Sequence, residues 1–88
     1  MLDTLIMHYL LFTTTTCPKC RKFKEFISNF LKIPGKIIDE YDEQFQTLSR
    51  KLLVNSVPTL FVFESDTLEN AMLRTDDATE IYDFINKK

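Results

Sequence analysis

Cys17 and Cys20, the two cysteines of the chain, stand three positions apart around Pro18 and Lys19. Thiols at that spacing can close a disulfide with each other, attack a disulfide in another molecule, or supply half of a tetrahedral metal site. Their surroundings decide between these chemistries. Pro18 suits the first residue of a helix, where its missing N–H is no loss and its φ is already helical. Cys17 is then the helix cap, its sulfur facing the unpaired amides of the first turn and the positive end of the helix dipole. Lys19 and Arg21 add positive charge nearby. All three effects favour thiolate over thiol, the route by which a cysteine pKa falls from about 8.5 toward the ~3.5–7.5 range of reactive thiols. Cys20 lies one turn inward on the same face. The arrangement predicts Cys17 as nucleophile and Cys20 as the resolving thiol that attacks a mixed disulfide formed on Cys17.

Such a site needs a strand before it and a helix behind it. Leu5 to Phe12 is a short apolar run rich in β-formers, suited to a strand buried on both faces. Phe23, Phe26, Ile27, Phe30 and Leu31 recur at helical spacing, and Pro34-Gly35 ends that helix. Lys36 to Tyr41 reads as a second strand. Phe45, Leu48 and Leu52 mark a second helix, opened by Asp42 and Glu43, whose charges suit its dipole. Val57 to Phe63 reads as a third strand, and Ser65-Asp66 as a turn into a fourth from about Leu68 to Leu73. Asp77, followed three residues later by Glu80, forms a capping-box pattern before Ile81, Phe84 and Ile85. The predicted order is β-α-β-α-β-β-α. Open α/β sheets place their sites beyond the carboxyl ends of strands, and Cys17 lies beyond the carboxyl end of the first.

The 88 residues make one domain, 1–88, with eight phenylalanines and one glycine, a composition that excludes a disordered or collagen-like chain. A net charge of −2 gives no electrostatic footprint for nucleic acid, and the lysines of the first helix read as its solvated face. Two cysteines are too few for the framework of a small disulfide-rich secreted domain. The early apolar stretch carries no basic lead-in, and its removal would delete a core strand. No run approaches the roughly 18–20 apolar residues of a membrane span. A cytoplasmic protein acting without membrane or nucleic acid is expected. His8, the single histidine, lies within the first strand and reads as structural.

Together, Cys17-Pro18-Lys19-Cys20 after the first strand, Ser56-Val57-Pro58-Thr59 before the third, and Thr75-Asp76-Asp77 before the last helix resemble the thioredoxin superfamily, specifically its small glutaredoxin-like branch. The resemblance spans essentially the whole chain. It implies an α/β thioredoxin fold of minimal glutaredoxin-like form, with a four-stranded mixed sheet and three helices. It further implies that Pro58 is a cis-proline packed against the cysteine pair and that Val57 offers backbone hydrogen bonds to a bound peptide or glutathione. Pro18, Lys19, Val57 and Pro58 thus shape the site. Thr16, Arg50, Arg74, Thr75, Asp76 and Asp77 become candidate contacts for substrate or glutathione, with Lys51 a further candidate cation; capping is the alternative role of Asp77. Leu73-Arg74 stands where glutaredoxins usually carry Gly-Gly, and Thr13 to Thr16 where they often have a lysine. Thioredoxins proper differ more: they usually place a tryptophan before CGPC and an acid in the preceding strand, whereas this chain has no tryptophan and reads Leu10-Leu11-Phe12 there.

The expected function is thiol–disulfide oxidoreduction on protein or small-molecule disulfides, by a monomer with no bound cofactor or metal. Its reductant is glutathione or a thioredoxin reductase. Two other readings stay open: a binding or redox-sensing module without turnover, and a metal-binding module. The latter needs a dimer sharing four cysteines, or His8, to complete the ligand shell.

Overall fold

The computed structural model describes residues 7–64 and 68–86. Its elements follow the expected order: β1 (Met7–Phe12), α1 (Pro18–Phe30), β2 (Gly35–Ile38), α2 (Phe45–Lys51), β3 (Thr59–Glu64), β4 (Leu73–Thr75) and α3 (Ala78–Asn86). The sheet runs β2-β1-β3-β4, with β1 parallel to β2, and antiparallel pairing between β1 and β3 and between β3 and β4.

Alternation along β1 and β3 divides the core in two. Leu11, Leu60 and Val62 meet Phe23, Ile27 and Leu31 around α1, together with Ile81 of α3. On the other face Leu10, Phe12, Ile38, Phe61 and Phe63 form a second cluster, against which Phe45, Leu48 and Leu52 pack. Central strands covered on both faces lose the alternating polar pattern, which is why the apolar runs at 7–12 and 59–63 were readable as strands.

Several boundaries differ from expectation. β2 ends at Ile38, before the expected Tyr41, because the Asp39 carboxylate accepts the Tyr41 N–H at 2.8 Å and turns the chain out of the sheet. Tyr41 is 80% exposed. Gly35, expected in a turn, begins β2 opposite Tyr9, and a Cβ there would run into the Tyr9 ring. α2 starts at Phe45 with no side-chain cap; Asp42 instead closes a turn before it, its carboxylate accepting the Gln44 N–H at 2.8 Å. Leu52 caps α2 from outside the helix. β3 starts at Thr59, after Val57 and Pro58. The fourth strand is Leu73–Thr75, not 68–73: the chain bends at 68–70, where Asn70 takes a φ of 56°, and joins the sheet after the Met72 N–H reaches Val62 O. The expected Ser65-Asp66 turn lies outside the described residues.

Candidate active site

Strand directions bring the three sequence motifs to one edge of the sheet. Phe12, the last residue of β1, pairs with Thr59, the first of β3, and Thr75, the last of β4, pairs with Leu60. Cys17 follows β1 and Asp76-Asp77 follow β4 at that end, and Val57-Pro58 lead into β3 there. The Val57–Pro58 peptide bond is cis, and Pro58 is fully buried. Thr59 tightens this turn by donating its hydroxyl to Ser56 O at 2.7 Å.

Cys17 caps α1 as its position predicted. Its backbone is extended (φ −99°, ψ 110°), Pro18 opens the helix, and the Cys20 N–H donates to Cys17 Sγ at 3.0 Å. No acidic residue stands in the first turn. Cys17 and Cys20 form a disulfide with a Cα separation of 5.2 Å. Cys17 is half-buried, whereas Cys20 is 1% exposed. An incoming sulfur can therefore reach the first and not the second. Lys19 and Pro18 are exposed beside them, as is Thr16.

A cleft of about 530 Å³ is lined by Lys19, Phe23 and Phe26 of α1 and by Asp76 and Asp77. A smaller polar hollow of about 270 Å³ lies between Ser56, Thr59, Arg74, Thr75 and Asp76. Arg50 lines neither. Its place on the exposed side of α2 separates it from the cysteines and gives its charge to the last turn of that helix.

Arg74 is committed to the fold. Its guanidinium donates to Leu52 O at 2.7 Å and Leu53 O at 2.6 Å and lies 5.1 Å from the centre of the Phe61 ring. It thus satisfies two carbonyls where α2 ends, a place that leaves such groups without helical partners. Asp77 caps α3 by accepting the Thr79 N–H at 2.8 Å. The other half of the expected capping box is supplied differently: the Asp77 N–H donates to the buried Thr75 hydroxyl at 2.9 Å, leaving Glu80 exposed. His8 stacks on Phe63 at the opposite end of β1. Among the described residues no group of three His, Cys, Asp or Glu side chains is placed to hold a metal ion, and no helix is long and apolar enough to cross a membrane.

Two site-forming residues escaped the sequence reading. Thr13, expected in a polar loop, is fully buried and extends the sheet through its N–H to Ile38 O at 2.9 Å. Glu40, expected inside a strand, clasps the segment leading to Cys17: its carboxylate accepts the Thr15 N–H at 2.9 Å and the Thr15 hydroxyl at 2.8 Å. The only signal was the Thr13–Thr16 run, a string of short donors with no partner nearby in sequence.

The Thr15 hydroxyl bond, chiefly, holds the Glu40 carboxyl below the ordinary 4.5; backbone amides and the Lys24 charge act in the same direction, against desolvation. A lowered folded-state pKa means that this clasp is complete above the ordinary value and is lost as pH falls through the folded one. The Thr15 amide resonance is therefore expected to titrate with a midpoint below 4.5 and to stop titrating in Glu40→Gln. A midpoint at or above that value contradicts the clasp.

No protein-family model matches this sequence, and no curated protein does. Solved structures match it in fold. Thioredoxin O2 from Arabidopsis thaliana in its oxidised state has a TM-score of 0.70 at 19% identity, over 91% of this chain and 72% of that one. Thioredoxin-2 of the malaria parasite, described as a component of its protein secretion machinery, gives 0.69 at 19% identity, over 99% and 87%. A thioredoxin from Thermus thermophilus gives 0.67 at 18% identity, over 90% and 70%. This chain has the thioredoxin fold, its described residues forming three helices and a four-stranded mixed sheet.

Proposed function

We propose that the protein is a thiol–disulfide oxidoreductase in which Cys17 exchanges with substrate and Cys20 resolves. The Cys17 thiolate attacks one sulfur of a substrate disulfide, forming a Cys17–substrate disulfide and releasing the other sulfur as a thiolate. Cys20, as thiolate, then attacks Cys17 Sγ; the Cys17–Cys20 bond closes and the second substrate thiolate leaves. Two electrons pass to the substrate, whose sulfurs take up two protons. Two reductant thiols restore the dithiol by the reverse sequence.

The observation that carries this reading is the inequality of the two sulfurs: one caps α1 and meets solvent, the other is sealed beneath it. Lys19, exposed beside Cys17 with no acid in that turn, adds to the field that favours the anion. Pro18, Val57 and Pro58 shape the approach, and an extended substrate segment would run past the cis bond toward Thr75, Asp76 and Asp77, with Thr16 at the near rim. The protein acts as a cytoplasmic monomer without bound cofactor, fed by glutathione or a thioredoxin reductase. A glutaredoxin-like preference for glutathione is favoured by the Thr75-Asp76-Asp77 segment, whose two aspartates share a cleft with Lys19 of the cysteine motif.

Reduction of an insulin disulfide tests the reading. The protein is expected to accelerate the reaction with dithiothreitol and with one physiological reductant, glutathione being the expected one of the two. No acceleration with any thiol would mean a binding or sensing module.

A further inference from the structure

Among the described residues, Thr13 Oγ1 is the side-chain oxygen that is buried with no hydrogen-bond partner. Burying a hydroxyl unpaired carries its desolvation penalty with no bond to offset it, so a group left in this way calls for a physical reason. Its position supplies one. Met7, Tyr9 and Leu11 belong to the core face under α1 and α3, whereas Leu10 and Phe12 face α2. Side chains alternate along a strand, so Thr13 continues the first row by one step beyond Leu11. On α1, Phe23 and Ile27 pack on that row, and buried Cys20 precedes Phe23 by one turn. Because α1 runs back from the carboxyl end of β1, Thr13 and Cys20 are the final buried members of two facing rows at the same end.

We propose that the Thr13 hydroxyl is a built-in hydrogen-bond donor for the sulfur of Cys20 in the dithiol state. The proposal rests on the exchange reading above. In the disulfide state the hydroxyl has no partner, neither sulfur included. When a reductant thiolate opens the Cys17–Cys20 bond, its electrons pass to the protein and the Cys20 sulfur becomes a thiolate or, after protonation from solvent, a thiol. The Thr13 O–H then donates to that sulfur without transferring its proton, a bond that is strongest to the anion. The hydroxyl is penalised in the oxidised protein and satisfied in the reduced one. It therefore shifts the equilibrium toward dithiol and helps hold Cys20 as the anion that attacks a mixed disulfide.

Thr13→Val keeps the branched shape and removes the donor. Wild type and variant are equilibrated with mixtures of reduced and oxidised dithiothreitol, the dithiol fraction is counted by alkylation and mass, and thermal unfolding is recorded for both redox forms. Thr13→Val is expected to move the equilibrium about tenfold toward the disulfide, about 30 mV more negative, and to lower the stability of the reduced form relative to the oxidised one. Thr13→Ser, which retains the hydroxyl, is expected to stay near wild type. Thr13→Ala gives the same direction as valine should valine not fold. An unchanged equilibrium in Thr13→Val or Thr13→Ala, or equal destabilisation of both redox forms, overturns the proposal. A wild type that does not interconvert with dithiothreitol overturns the exchange reading itself, which separates the two failures.

Discussion

Cys17→Ser is expected to bring disulfide turnover down to the uncatalysed rate, while Cys20→Ser is expected to retain the first step and accumulate a mixed disulfide with substrate. The two outcomes differ because the sulfurs differ in access: the first is half-exposed at the helix cap and the second is 1% exposed behind it. Serine at 17 leaves no atom able to form the covalent intermediate. Serine at 20 leaves that intermediate with no internal thiol to open it. The cap acts on more than the attack. A thiol whose pKa falls from about 8.5 to about 6 gains roughly 30-fold in thiolate at pH 7, but with a Brønsted slope of about 0.4–0.5 it loses roughly tenfold in intrinsic reactivity, a small net gain. The same thiol leaves faster in the reverse direction, when a second substrate thiolate attacks the substrate sulfur of the mixed disulfide and expels Cys17. Stabilising the anion at Cys17 should thus chiefly speed its expulsion from the mixed disulfide. Mass spectrometry of each variant after mixing with a disulfide peptide decides the matter; a stable adduct on Cys17→Ser, through Cys20, would reverse the assignment.

The largest expected loss of stability is at Phe12. It is fully buried and makes edge-to-face contacts with Phe45, at 6.0 Å between ring centres, and Phe61, at 5.9 Å. Phe45 opens α2, so the Phe12 ring joins that short helix to the centre of the sheet. Truncation of a buried phenylalanine costs about 3–5 kcal/mol, a large part of the roughly 5–15 kcal/mol that holds a domain together. Phe12→Ala is expected to lower the denaturation midpoint accordingly, or to leave the protein unfolded at 37 °C. The variant also tests whether the site depends on α2, because Arg74 is held by the Leu52 and Leu53 carbonyls at the end of that helix. Chemical denaturation measures the effect. A loss under about 1 kcal/mol would mean that α2 repacks readily over the gap.

The sequence made legible whatever depends on neighbours within a turn or two. Apolar runs identified the central strands, periodic phenylalanines identified α1, and Pro18 after Cys17 placed the cap, because a capping sulfur and the amides it faces are separated by only three residues. The Asp77 cap was legible for the same reason, although its partner proved to be Thr75 and not Glu80. Strand ends were not legible, because β2 stops where Asp39 turns the chain and β4 begins only after the bend at Asn70, not where the apolar pattern starts or fades.

The chain by itself determined the element order and the pair of sulfurs at a helix start, since both follow from local periodicity and backbone preference. Only the tertiary structure decided that Glu40 clasps Thr15 across 25 positions, that Arg74 closes α2 across 22, and that one threonine of a polar run is buried. Those contacts join groups that sequence spacing leaves unrelated, and packing of the sheet against its helices is what brings them within hydrogen-bonding distance.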